Sequence, residues 1–270
     1  MNAAPYQVRT HNASSESENR MHSDDVARQF GFKGGLVPGV TVFSHMTQPM
    51  VARYGEAWLT RGTAEVSFGK PAYEGELLTI NTADNNDASH TLTCLNEQGV
   101  ELARMSAALP LAAAQPDARS DLAPAPPQAE RPTVTWDLMK VNQPFPALAW
   151  SPTREENLVW CNDARDDLSL YREGATPLLH PGFILRQANF VLRKRFILPA
   201  WIHAASRITF FAAARVGADY EVRAIPEEKW NHKGHEFVRL YVAVRCGQQT
   251  VAEVLHTAIF RPRVRAAETN

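Results

Sequence analysis

The feature that most constrains this chain is an internal repeat. The pattern N-x-x-H-x-D comprises Asn19, His22 and Asp24. Its counterpart 143 residues later comprises Asn162, Arg165 and Asp167, with arginine at the histidine position. Residues 36–39 recur at the same distance as residues 179–182, and residues 66–68 recur 142 residues later. The distance grows near the end, which predicts about ten extra residues around the segment EEKWNHKGHEF. A nearly constant offset over several blocks predicts two copies of one fold.

Composition limits the classes of protein to which the chain can belong. It has 270 residues, of which 44% are hydrophobic and 21% charged, enough apolar side chains for a packed core. The net charge of -1 argues against a nucleic-acid partner. Three widely spaced cysteines and the lack of a long apolar segment argue against a disulfide framework, a metal site and a membrane partner. We expect a cytoplasmic protein with no cofactor.

Each copy has the same order of predicted elements. In the first copy a short helix begins at Ser23 or Asp24, a longer apolar helix follows Gly39, and four segments then alternate between apolar and polar residues. A long helix followed by antiparallel strands indicates an α+β fold in which a sheet wraps around the helix. Residues 111–133 are rich in Ala and Pro and predict a linker. The predicted units are therefore residues 1–110 and 134–270.

Two motifs in the first copy resemble a known family. They are N-x-x-H-x-D followed by G-x-L-V-x-G before a helix, and VSFGKPAYEGELL, in which Glu76 replaces an aspartate. Both are similar to motifs of the MaoC-like hotdog proteins, whose best-known members are R-specific enoyl-CoA hydratases. The resemblance covers nearly all of residues 7–110 and, more loosely, residues 157–262. It implies a double hotdog, two antiparallel sheets each wrapped around a central helix, in one chain.

The same resemblance implies site residues. Family hydratases use an aspartate and a histidine to add water to the double bond of an acyl thioester. His22 stands at the histidine position and Asn19 at the motif's asparagine. The amides of Gly39 and Val40, after Pro38, fall where the family places the donors to the enolate oxygen. His22 is therefore the expected proton carrier.

The sequence also departs from the family pattern. Ser17 occupies the position of the catalytic aspartate, and Glu18 is the adjacent carboxylate that could replace it. In the second copy Arg165 replaces the histidine, so we expect the first copy to be the active one. His180, before Pro181, is a candidate to face a substrate pocket in the second copy.

Three functions remain open at this point. The first is a hydro-lyase, an enoyl-thioester hydratase or dehydratase of fatty acid metabolism with His22 as acid and base. The second is a thioesterase, for which Glu18 is the adjacent carboxylate. The third is a non-catalytic acyl-CoA-binding protein. All three have an acyl-CoA or acyl-carrier thioester as the partner, and both a monomer and a homodimer are compatible with the repeat.

Overall fold

A computed structural model describes residues 4–85 and 88–263; the outermost ends of the two predicted units lie outside these residues. Within the described residues, the first half contains three helices and five strands. Its elements, in chain order, are β1 Tyr6–Arg9, α1 Asp24–Gln29, α2 Gly39–Tyr54, α3 Glu56–Arg61, β2 Thr63–Phe68, β3 Leu77–Asp84, β4 Ser89–Leu95 and β5 Glu101–Ala108. A single 3-10 turn, Arg20–His22, precedes α1.

The second half repeats this order with two helices. Its elements are β6 Leu148–Trp150, α4 Arg154–Asp163, α5 Pro181–Arg195, β7 Ile202–Phe210, β8 Tyr220–His232, β9 His235–Cys246 and β10 Gln249–Arg261. Strands β8 and β9 have 13 and 12 residues, whereas β3 and β4 have 8 and 7. The longer hairpin contains the extra residues that the repeat predicts in this region.

The two halves share one antiparallel sheet of ten strands, in the order β1-β3-β4-β5-β2-β7-β10-β9-β8-β6. They join where β2 pairs with β7, with Thr63 opposite Thr209 and Ser67 opposite Ala205. Five strands on each side of this junction face one central helix, α2 or α5. The predicted α+β double hotdog is therefore confirmed, and its two sheets are continuous edge to edge.

Alternating burial explains why the strands form. Along β4 every second residue is buried, including Leu92 and Cys94, while the residues between them are partly exposed. This is the period of a strand with one face on a core. Helix α2 is buried over most of its length because the sheet covers one side and α5 approaches another, with Ser44 beside Gly182.

The predicted linker, residues 111–133, packs along the strands of the second half of the sheet. Arg223 and Arg245 donate to the carbonyl oxygen of Ser120, and the backbone amide of Asp117 donates to Glu253. These bonds fix the crossing chain against β8, β9 and β10. Among the described residues, no helix is both long and apolar enough to cross a membrane.

Candidate functional site

Asn19 joins the first half to the second at the start of the site. Its side-chain oxygen accepts from the backbone amide of Trp201 at 3.1 Å, and its amide nitrogen donates to the carbonyl oxygen of Trp201 at 2.9 Å. The same oxygen accepts from Met21 at 3.3 Å, so Asn19 also caps the 3-10 turn that carries His22. A buried amide with these partners fixes the position of the following histidine.

His22 follows in that turn, and both of its ring nitrogens are hydrogen bonded. Its Nδ1–H donates to the carbonyl oxygen of Leu36 at 2.7 Å. Its Nε2 accepts from the side-chain amide of Asn19 at 3.0 Å. Burial lowers the pKa of His22 to about 4, although the bond to Leu36 acts in the opposite direction. The imidazole is therefore neutral at pH 7, with its proton on Nδ1 and its lone pair on Nε2.

The N-terminus of α2 lies open beside this histidine. Pro38 is the N-cap residue and supplies no side-chain cap; its carbonyl oxygen accepts from the amides of Thr41 and Val42. Within the described residues, the amides of Gly39 and Val40 have no hydrogen-bond acceptor. The first amides of a helix carry partial positive charge, so these two donors form a site for a developing negative oxygen.

His203, on β7 of the second half, faces the same helix N-terminus. A Cβ on Gly39 would lie 3.0 Å from Nδ1 of His203, so any larger residue would be tight against the ring. Nε2 of His203 is 2.8 Å from the hydroxyl of Ser206, which is in turn 3.1 Å from Nδ1 of His256. Nδ1 of His203 is buried and has no partner in the described part of the chain.

The serine links the two rings. The hydroxyl of Ser206 can donate one hydrogen bond and accept another. If it donates to His203, then His256 donates to it, and the reverse also holds. Burial, with the neighbouring His256, lowers the pKa of His203 well below its usual value, and burial lowers that of His256 to about 3. Both rings are neutral at pH 7, and Nδ1 of His203 carries either a proton or a lone pair according to the orientation of Ser206.

Two cavities meet at these residues. The apolar cavity, of about 250 Å³, is lined largely by apolar side chains, among them Met21, Phe32, Leu36, Val42, Phe68 and Ile259. The arginine cavity, of about 260 Å³, is lined by charged and aromatic side chains of α4 and α5, among them Glu156, Trp160, Asp163, Arg186, Phe190 and Arg193. Both are lined by Asn19, His22, Pro38, Asn189 and Trp201. The reactive part of a ligand at His22 would therefore have space on two sides.

The predicted site residues divide between these places. Asn19, His22 and Pro38 line both cavities, Gly39 lines the apolar cavity, and Ser17 and Val40 line the arginine cavity. Glu18 lines neither; it pairs with Arg131 and lies 3.7 Å from Arg193. Both contacts engage its carboxylate with an arginine. The catalytic assignments of these residues stay predictions.

His180 lies in the second half and lines neither cavity. It is fully buried, and its Nδ1 accepts from the amide of Gly182 at 3.0 Å and from the indole of Trp160 at 3.2 Å. Its Nε2 lies 3.2 Å from the buried carboxylate of Asp166. The side chain therefore caps α5. It contacts neither cavity, so its role in substrate binding stays a prediction. Arg165, which replaces the motif histidine, is exposed.

The sequence analysis missed His203, Ser206, His256, Arg186 and Trp201. No local motif marks the first three, because Ser206 faces His256 only through the register of β7 and β10. For Arg186 the repeat does provide a signal. At the equivalent position of the first helix, 143 residues earlier, stands Phe43, which is fully buried. An arginine in place of a core residue indicates a different environment. Across the described residues, no cluster of three or more His, Cys, Asp or Glu could hold a metal ion.

Comparison with known proteins agrees with the fold. No family model and no curated protein matches the chain. It is similar to a protein assigned as a MaoC-domain dehydratase from Chloroflexus aurantiacus, with 13% identity, a TM-score of 0.66 and coverage of 97% of this chain and 95% of that one. It is also similar to a conserved Mycobacterium tuberculosis protein with a double hotdog fold, with 13% identity, a TM-score of 0.61 and coverage of 96% and 94%.

A third similar structure has a different assigned activity. It is a protein assigned as an oleoyl thioesterase from Lactobacillus plantarum, with 9% identity, a TM-score of 0.53 and coverage of 96% of both chains. At these identities the similarity establishes the double hotdog fold and its resemblance to MaoC-like dehydratases. The reaction has to be argued from the site.

Proposed function

We propose that this protein is an acyl-thioester hydratase or dehydratase, which adds or removes water at the double bond conjugated to the thioester. One observation carries the proposal: the acceptor-free amides of Gly39 and Val40 lie beside His22, where two cavities meet. The similarity in fold to proteins assigned as dehydratases and thioesterases supports an acyl-thioester substrate, bound to CoA or to a carrier protein.

The chemistry requires a donor to oxygen and two proton-handling groups. In hydration, a base takes a proton from water as the water oxygen bonds to the β-carbon, and the conjugated electrons move to the thioester oxygen. The amides of Gly39 and Val40 would donate to that oxyanion. An acid then delivers a proton to the α-carbon, the carbonyl reforms, and one water has been added.

His22 and His203 are the two groups that we assign to proton transfer. Each ring is neutral at pH 7, so each can hold a proton on one nitrogen and accept one on the other. Nε2 of His22 becomes available when the bond from Asn19 yields to substrate. Nδ1 of His203 is already without a partner and faces Gly39. His203 would take the place of the aspartate that Ser17 replaces.

An absorbance assay with crotonyl-CoA and a longer trans-2-enoyl-CoA tests the proposal, together with an assay for released thiol. We expect loss of the conjugated thioester without free thiol, and a decrease in rate of about 100-fold to 10,000-fold in His22→Ala. His11→Ala is the matched control, since His11 lies outside both cavities and contacts Glu74. We expect it to retain full activity.

Other results would reject the hydratase. Release of thiol at the rate of thioester loss would identify a thioesterase. If neither the conjugated thioester is lost nor thiol is released, and acyl-CoA raises the melting temperature, the protein is a binding protein. An unchanged rate in His22→Ala would remove His22 from the mechanism.

A further inference from the structure

Arg186 places a cation in the wall of the arginine cavity. It lies on α5, three residues before Asn189 and four before Phe190, so the three side chains share one face of the helix. Asn189 lines both cavities. The rise of an α-helix places Arg186 only about 4.5 Å along the axis from Asn189. Arg186 and His22 both line the arginine cavity.

Aromatic rings hold this guanidinium but leave its hydrogen-bond donors unused. Its central carbon lies 4.1 Å from the ring centre of Phe190, 5.4 Å from that of Trp160 and 5.8 Å from that of Phe183. Stacking of this kind occupies the faces of the guanidinium, whereas its N–H groups point outward in its plane. Among the described residues, Arg186 has no hydrogen-bond or ion-pair partner. Burial lowers its pKa to about 10, so it remains charged at pH 7.

Two carboxylates of the cavity, Glu156 and Asp163, act on Arg186 through space, but neither forms an ion pair with it. Arg193 stacks on the same ring as Arg186, 4.4 Å from the ring centre of Phe190, and approaches Glu18. Glu156 accepts from the backbone amide of Thr153 in the capping box of α4. The carboxylate of Asp163 also faces the cavity, outside ion-pairing distance of Arg186. Within the described residues the guanidinium therefore forms no ion pair, whereas a half-buried arginine is usually paired.

We propose that Arg186 binds an anionic oxygen group of the substrate, a carboxylate or a phosphate, in the arginine cavity. The inference rests on the proposed function and narrows its substrate class. Its preferred source is a carboxylate at the far end of a short acyl group. Arg186 and His22 line the same cavity, whereas the long pantetheine arm would carry a CoA phosphate away from it.

Binding of unreactive thioethers tests this without turnover. The probes are S-butyl-CoA, its carboxypropyl counterpart, and the same two thioethers of pantetheine, which lacks the CoA phosphates. Calorimetry measures their affinity for the wild type, Arg186→Gln and Arg186→Lys. Arg195→Gln is the matched control: it removes one charge from the same helix, and Arg195 lies outside the arginine cavity against Phe196.

The wild type should bind the carboxypropyl thioethers about 10-fold to 100-fold more tightly than the butyl thioethers, on either carrier. Arg186→Gln should lose this preference, Arg186→Lys should keep part of it, and Arg195→Gln should keep all of it. If the anion is a phosphate, Arg186→Gln instead weakens both CoA thioethers equally and leaves the pantetheine pair unchanged.

The inference is overturned if Arg186→Gln binds all four probes as the wild type does. Failure of the proposed function has a different signature, since the absorbance assay would then show no loss of the conjugated thioester without free thiol, whatever the thioethers bind. The melting temperature of each variant, measured without ligand, shows whether the fold is intact.

Discussion

The central helices of the two halves start at the same dipeptide, Pro-Gly, but their N-termini differ in whether the first amides have an acceptor. Helix α2 follows Val37 and Pro38, and the first two amides of the helix, those of Gly39 and Val40, have no acceptor in the described structure. Helix α5 follows His180, whose ring accepts from Gly182. Valine offers no side-chain acceptor and histidine does, so the residue before the proline decides whether the helix terminus is free to bind a ligand.

Packing reinforces this difference. A Cβ on Gly182 would lie 1.9 Å from the hydroxyl of Ser44 on α2, so the first helix covers the start of the second. The equivalent glycine of α2, Gly39, instead faces the ring of His203. The repeated fold therefore has two equivalent helix N-termini, one covered by the contact between the helices and one whose first amides have no acceptor in the described structure. Four experiments test this difference between the two N-termini.

The largest expected effect is loss of the histidine opposite the open terminus. His203→Ala should lower kcat/KM for an enoyl thioester by about 100-fold to 10,000-fold, because one of two proton-handling groups is missing. His45→Ala is the control: it removes another fully buried ring, bonded to Thr10 at 3.0 Å, that lines neither cavity. It should retain activity at a temperature where it is folded. Equal activity in both variants would exclude His203 from catalysis.

Opening the closed terminus should cost stability instead of activity. His180→Ala removes the acceptor for Gly182 and Trp160 and leaves Asp166 buried without its ring, which should lower the free energy of unfolding by about 3–5 kcal/mol. Denaturant unfolding measures it. His90→Ala is the comparison, because its partner Asp84 is 39% exposed and should be stranded at a smaller cost. A loss below that of His90→Ala would contradict the capping role.

A pair of matched glycine substitutions should separate the two termini. Gly39→Ala places a methyl group against His203 and should lower kcat by about 100-fold with little change in stability. Gly182→Ala drives a methyl group into Ser44 and should lower the free energy of unfolding by about 1–3 kcal/mol, with kcat retained by the folded fraction. If both variants lost stability equally and kept kcat, the open terminus would have no special role.

The smallest effect concerns acid stability. A histidine in an unfolded chain titrates near pH 6.5, whereas burial lowers the pKa of folded His22 to about 4. Between these values the unfolded state binds the extra proton, so stability is full above pH 6.5 and falls as the pH drops toward 4. His22 should account for about 2 kcal/mol of the loss by pH 5.

Melting temperatures at pH 7 and pH 5 measure this loss. His22→Gln should narrow the difference between the two temperatures, while the same replacement at the exposed His232 should leave it as in the wild type. His45 and His256 should supply much of the remaining loss, since burial lowers their pKa values to about 4 and about 3. An unchanged difference in His22→Gln would mean that folding does not lower the pKa of His22.

The sequence by itself determined the repeat, the central helices, most of the strands and the loop around His22. These follow from local rules: apolar periodicity defines each element, and Gly39 and Asn19 mark turns that the chain forms wherever it is placed. The edge strands β1 and β6 were missed because they have only 4 and 3 residues. So short a segment gives too little alternation to read.

The tertiary structure alone decided the rest of the site. Pairing of β2 with β7 brings His203 to Gly39, although 164 residues separate them, and the register of β7 and β10 brings His256 to Ser206. Glu18 pairs with Arg131 and approaches Arg193, and Arg186 lines a cavity without an ion-pair partner among the described residues. Each of these is a relation between side chains distant in sequence, fixed by which surfaces pack together. Local preferences specify the elements, but the burial and charge of a site depend on its neighbours in space.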